Sequence, residues 1–162
     1  MIEFQIASLG ELQTLANRLA RVLPANVTIG LVGTLGAGKT SLTQAIARAI
    51  DIDTANVTSP TFTLLQSHQG TRTHDNQPIK LHHLDAYRVT DDDEFIELGV
   101  EELFDEDNAW TIIEWADRVR TCLPDETLWL KLTLTANSET RKITAWTDDQ
   151  ALANIINQQL SP

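Results

Sequence analysis

One cysteine, Cys122, is all the 162-residue chain carries, so neither an internal disulfide nor a cysteine-built metal cluster can form. No run of residues approaches the ~18 consecutive apolar positions that a membrane-spanning helix needs, and no membrane association is expected. The first ten residues, MIEFQIASLG, lack a basic region, a long apolar stretch and a small-residue cleavage site. The expectation is therefore a cytoplasmic protein without a secretory signal. Cations are also scarce: 12 Lys and Arg stand against 23 Asp and Glu, a net charge of −11. That balance argues against independent nucleic-acid binding, since lysine and arginine contacts to phosphates supply most non-specific affinity. Ten of the carboxylates fall between Asp91 and Asp107, where there is no Lys or Arg. Two readings are open for this segment: a solvated helical face, or a docking surface for a basic partner.

What is present is an ordinary globular balance, 42% hydrophobic and 22% charged. The length suits one domain, residues 1–162, and is too short for two ordinary ones. There is no internal repeat, low-complexity tract or linker. Residues Glu3–Ile6 alternate as a short edge strand. Ser8 followed by Glu11 reads as a capping box opening a helix with Leu12, Leu15, Ala16, Leu19, Val22 and Leu23 on one stripe, ended by Pro24 and Asn26. VTIGLV reads as a buried parallel strand. SPTFTLLQSH and PIKLHHLDAYR, joined by a polar loop, suggest a long antiparallel hairpin, because a helix-free link of this length cannot make a parallel crossover. DDDEFIELGVEELF is helical with a break at Gly99, and AWTIIEWADR holds a second buried strand ending at Glu114. TLWLKLTLT and TRKITAWT pair around a turn at Ala136–Glu139, and a helix from Asp148 to Leu160 closes the chain. The expected fold is α/β, a mixed parallel and antiparallel sheet flanked by helices, of the P-loop NTPase type.

The segment GTLGAGKTS, Gly33 to Ser41, lies between the VTIGLV strand and an apolar-periodic helix. Gly33, Gly38, Lys39 and Thr40 satisfy G-x-x-x-x-G-K-[ST], the phosphate-binding loop. Its glycines permit backbone conformations that aim N–H groups at phosphate oxygens, and the helix N-terminus adds partial positive charge. Lys39 is placed for the β- and γ-phosphates, and Thr40 for Mg²⁺. The intervening Thr34, Leu35, Gly36 and Ala37, with Ser41 after, complete the nucleotide-binding stretch.

Such a loop needs a carboxylate on the metal side, at the end of a buried strand. Asp85 and Glu114 are the two candidates. WTII is uniformly apolar, as a central strand buried on both faces must be, so Glu114 is assigned to the metal. Asp85 shares an alternating face with Ile79, Leu81, His83 and Tyr87; orienting a water and pairing with Arg88 both remain open for it. Thr58, Ser59, Thr61 and Thr63 offer hydroxyls around Pro60 that could sense the γ-phosphate, and Trp115 could close over the nucleotide. His82 and His83 point to opposite faces of a strand and cannot share a metal.

No Asn is followed by Lys, so the N-K-x-D guanine signature is missing and ATP is the expected nucleotide. Eight scattered arginines do not suggest a phosphoryl-acceptor site. A minimal ATPase with a switch loop fits best; a small-molecule or nucleoside kinase and a nucleotide-sensing binding module are the alternatives.

GTLGAGKTSL, SPTFTL, HHLDAYR, ELGVEE and IIEW, in this order, resemble the bacterial TsaE (YjeE) family over nearly the whole chain. That family belongs to the machinery making threonylcarbamoyladenosine in tRNA. The resemblance implies a mixed-sheet fold, ATP and Mg²⁺ binding, weak hydrolysis alone, and work with the TsaB–TsaD pair, which hydrolysis resets between cycles. The partners would hold the tRNA. It further implies roles for Lys39 and Thr40 at phosphate and metal, Glu114 as the metal-side glutamate with Trp115 the adjoining tryptophan, and Asp85 as the catalytically important aspartate. Ser8–Leu9 and Arg141 are implied near the nucleotide. Thr34 stands where the family usually has Asp or Glu, Ser41 where it has Thr, and EWADR replaces the common EWPE.

Overall fold

The computed structural model describes residues 1–60, 64–135 and 140–160. Seven strands make one mixed sheet: β1 (Ile2–Ile6), β2 (Val27–Val32), β3 (Leu65–Thr71), β4 (Pro78–Asp85), β5 (Ala109–Glu114), β6 (Leu128–Leu134) and β7 (Arg141–Trp146), in the order β1-β7-β6-β2-β5-β4-β3. β2 sits in the middle, parallel to β5 on one side and to β6 on the other, and β5 is parallel to β4. The β3–β4, β6–β7 and β1–β7 pairs are antiparallel. The pattern follows from burial: every residue of β5 and five of six in β2 are buried, whereas β1 alternates. Strands apolar on both faces take the covered centre, and half-polar strands take the edges.

Helices cover both faces. On one side α1 (Leu9–Val22), α2 (Lys39–Ala49) and α5 (Gln150–Gln159) share a core with Ile29, Leu31, Leu81 and Ile112. Ser8 caps α1 by accepting from the Glu11 N–H at 3.1 Å, while Glu11 Oε2 accepts from the Ala7 N–H at 2.7 Å. On the other side α3 (Asp92–Ile96), α4 (Val100–Phe104) and a 3₁₀ segment, Ala116–Cys122, cover Leu84, Ile113 and Trp129. Gly99, at φ 73°, separates α3 from α4 where a break is expected. The 3₁₀ segment has no counterpart among the sequence expectations. Its Ala116 and Val119 are buried, and the segment kinks at Val119, where φ is −124° and ψ 25°.

The acidic stretch is put to local use in part. Asp91 caps α3 through the Glu94 N–H at 2.9 Å, Glu94 accepts from Thr90, and Asp92 accepts from the Thr121 hydroxyl at 2.6 Å. Negative charge at a helix N-terminus also meets the favourable end of the helix dipole. The turn at Ala136–Glu139 lies outside the described residues. Among those described, no helix is long and apolar enough to cross a membrane.

Ile46, fully buried on α2, seats the helix that carries the loop. Ile46→Ala should cost ~2–5 kcal/mol, read as a lowered denaturation midpoint; an unchanged midpoint would mean that α2 is not held by this face.

Candidate functional site

β2 ends at Val32, and the chain turns through residues 33–38 into α2. Two glycines are required by geometry. A Cβ on Gly33 would stand 2.6 Å from the Leu132 carbonyl oxygen, a backbone atom that cannot swing away. Gly38 has φ 103°, in the left-handed region that side chains disfavour. It is the N-cap of α2 and offers no side-chain hydrogen bond, so the first-turn N–H groups have no capping oxygen from that residue.

Register does the rest. Leu31 of β2 lies beside Glu114, and Glu114 beside Asp85, so the carboxylates end adjacent parallel strands on one face, next to the loop. Ligands of open α/β sheets bind at this carboxyl end. A cavity of about 400 Å³ opens here. Leu35, Gly36, Gly38, Lys39, Thr40 and Ser41 line it from the loop and α2. Ser59, Asp85, Glu114, Trp115 and Arg141 reach it from four other places in the chain.

Glu114 is 3% exposed and accepts from the Thr40 hydroxyl, at 2.9 Å to Oε1 and 3.0 Å to Oε2. His83 Nε2 lies 2.8 Å from Glu114 Oε1. Asp85, also 3% exposed, accepts from the Ser59 hydroxyl through Oδ2 and from the Tyr87 N–H through Oδ1, both at 2.8 Å. Lys39 is 5% exposed; its Nζ donates to the carbonyls of Gly33 at 2.8 Å and Thr34 at 3.0 Å and sits 3.7 Å from the Trp115 ring centroid. Trp115 holds φ 58°, a strained conformation for a bulky residue, and packs 4.9 Å from the Tyr87 ring. Arg141 Nε donates to the Ala37 carbonyl at 3.1 Å, tying β7 to the loop.

Other expected residues fall elsewhere. Leu9, at the start of α1, is 73% exposed and does not border the cavity. Gly33 and Thr34 face a neighbouring cavity shared with Asp117 and Lys131, although Lys39 uses their carbonyls. Ala37 is wholly buried beneath the loop. Thr58 is exposed and accepts from Gln66 Nε2 at 3.4 Å. Thr61 and Thr63 lie outside the described residues. His82 and His83 part as strand neighbours must: His82 bonds Ser67 and Glu106, while His83 turns to Glu114.

Sequence reasoning missed two residues. Strand alternation puts Tyr87 on the face of Asp85, yet β4 stops at Asp85 and the ring reaches the cavity from the following turn, 43% exposed. Strand alternation excludes a metal shared by His83 and His82 but does not join His83 to Glu114. Its spacing, two before Asp85 on one strand face, was the available signal.

This donor set has a definite chemical capacity. A buried ammonium and an uncapped helix N-terminus suit a polyphosphate. A hydroxyl beside a carboxylate suits a hard cation such as magnesium, which takes one or two carboxylates and completes its shell with phosphate oxygens and water.

Strand, glycine loop and helix at the carboxyl end of a mostly parallel sheet core define a P-loop-type α/β domain. Comparison with known proteins narrows the class. Residues 6–143 match the family model described as "Threonylcarbamoyl adenosine biosynthesis protein TsaE". The chain is similar to the tRNA threonylcarbamoyladenosine biosynthesis protein TsaE of Treponema pallidum, 33% identical over 126 residues covering 78% of this chain and 86% of that one. It is also similar to the protein of that name from Rickettsia bellii, 30% identical over 148 residues covering 91% and 90%. The crystal structure of Bacillus subtilis YdiB shares the fold, with a TM-score of 0.75 at 23% identity over 98% of this chain and 93% of that one. The chain belongs to the TsaE family.

Burial pulls the Lys39 ammonium below its ordinary 10.5, opposed by the carboxylates of Glu114, Asp85 and Asp117. Between that lowered value and 10.5 the unfolded chain binds more protons than the folded one. Stability should therefore rise with pH across this window relative to Lys39→Met. Urea midpoints of both proteins at stepped pH check the sign; a constant difference would show that Lys39 titrates as it does in the unfolded chain.

Proposed function

We propose that the protein is a magnesium-dependent ATPase that serves threonylcarbamoyladenosine modification of tRNA in the cytoplasm, acting with the TsaB–TsaD pair. The observation that carries this reading is the meeting of Lys39, Thr40, Asp85 and Glu114, from three separate stretches of chain, at one cavity. Family membership supplies the pathway.

In this mechanism the loop N–H groups and the first turn of α2 cradle the phosphates. Lys39 exchanges the Gly33 and Thr34 carbonyls for phosphate oxygens, a stronger charge-assisted contact. Thr40 and Glu114 would hold magnesium, which would supply charge neutralisation on the transferring group. Asp85 orients the attacking water, its plane held by Ser59 and the Tyr87 N–H. Trp115 shields the Lys39 side of the cavity from bulk water. Arg141 holds the loop from the Ala37 side. Ser59 couples the segment before β3 to Asp85, giving that segment a means to report nucleotide state to a partner. A net charge of −11 favours contact with tRNA through the partners.

Phosphate release from ATP and magnesium, measured for the protein alone and with TsaB and TsaD, tests the reading. Strong stimulation is expected, reduced at least ~10²-fold in Lys39→Ala and Glu114→Gln, the scale of removing one transition-state contact. Asp85→Asn should lose turnover within the complex while retaining ATP binding. An unstimulated rate would remove the partner coupling, and phosphate arriving on an added acceptor would make the protein a kinase.

A further inference from the structure

Among the described residues, three buried polar atoms without a protein partner lie on the α2 side of the β3–β4 hairpin: Nδ1 of His83, Nε2 of His68 and Oε1 of Gln66. Gln66 stands directly opposite His83 in the antiparallel register, and His68 stands opposite Leu81, two residues along on the same face. Direct cross-strand neighbours hold their Cβ atoms ~4.5–5.5 Å apart and diagonal ones roughly 7–8 Å, so side chains of this length converge. Buried polar atoms are almost always paired, with protein or with ordered water.

Proton accounting says what fits between them. Glu114 as a carboxylate can only accept, so the 2.8 Å contact requires the proton on His83 Nε2; in the neutral ring Nδ1 is then a buried acceptor. Gln66 gives one of its two amide hydrogens to Thr58, and its carbonyl Oε1 is a second acceptor. His68 Nε2 can then serve as the donor. Two acceptors and one donor are the complement of one water molecule, which gives two hydrogens and receives one.

We propose that a buried water joins His83, His68 and Gln66, and that His83, locked by it in the Nε2–H tautomer, is the positioning residue for Glu114. The inference rests on the ATPase reading for its consequence in turnover, though not for its structural content. Through this water the carboxylate that meets Thr40 is connected to Thr58, next to the Ser59 that holds Asp85. Both site carboxylates are thus tied to one short segment before β3. Burial lowers the pKa of His68, which keeps that ring neutral with one N–H to give.

Two measurements decide it. Long-range ¹⁵N–¹H correlation of the imidazoles, on the full chain without nucleotide at neutral pH, should place the His83 proton on Nε2; a proton on Nδ1 overturns the proposal. In steady-state hydrolysis, His83→Leu should lower kcat roughly tenfold or more, the usual cost of losing a group that orients a metal ligand, with KM for ATP nearly unchanged. His83→Gln, which keeps an N–H at the distance of Nε2, should recover most of it. Equal loss in both variants, or a loss confined to KM, overturns the positioning role. Should His83→Leu fail to fold, His68→Phe removes only the donor to the water and should still lower kcat at unchanged KM. A wild-type protein releasing no phosphate would sink the ATPase reading instead, and the His83 tautomer would still decide the water and the positioning.

Discussion

A carboxylate buried at the end of the central strands is the constraint from which the rest of this structure follows. An ionised Glu114 away from water costs several kcal/mol unless its oxygens are hydrogen-bonded and a counter-charge lies near, about the scale of the whole folding margin. Its partners come from different elements: Thr40 from the first turn of α2, His83 from β4, and Lys39 across the cavity. Each satisfied lone pair therefore also fixes an element. Thr40 pins α2 to β5, His83 helps pin β4 to β5, and the loop between β2 and α2 has little freedom left. The geometry suited to holding a metal and phosphates is a by-product of making this one charge tolerable.

Lys39 is the complementary case. Its ammonium sits over the Trp115 ring and donates to two loop carbonyls. A cation–π contact is worth ~0.5–2 kcal/mol and a charged hydrogen bond ~1.5–3 kcal/mol, so the lysine is held in place without being spent. A phosphate replaces neutral carbonyl acceptors by charged ones, and the exchange runs downhill. Trp115 makes the contact possible by accepting a left-handed backbone conformation immediately after Glu114. That strain is maintained by burial of Ala116 and Val119 in the next turn, and so packing on one face of the sheet underwrites chemistry at its edge.

The charge pattern divides by location. Some carboxylates of the 91–107 stretch accept hydrogen bonds at helix starts, and others, such as Asp93, Glu97, Glu101 and Glu102, are exposed, where like charges favour solubility and steer oppositely charged partners. Glu106 is taken up by Lys80 and His82, holding the α4–β5 connection against β4. At the cavity the signs are mixed, Lys39 and Arg141 standing with Asp85 and Glu114.

Local chemistry alone determined much of this protein. Glycines with a following Lys and Thr after an apolar strand specify a phosphate loop, because few other residues tolerate those conformations. Continuous apolar runs in β2 and β5 dictate a covered parallel centre, and the Ser8–Glu11 spacing dictates the start of α1. Only the tertiary structure decided which strand ends lie side by side. Strand order is a non-local property, set by how helices of given length pack over the sheet, and it puts Asp85 in register with Glu114 across 29 residues of chain. Nor could the pattern show that His83 faces Glu114, that Tyr87 reaches back from the turn after β4, or that Leu9 remains in solvent. Those are matters of distance between side chains remote in sequence, and distance exists only once the sheet has closed.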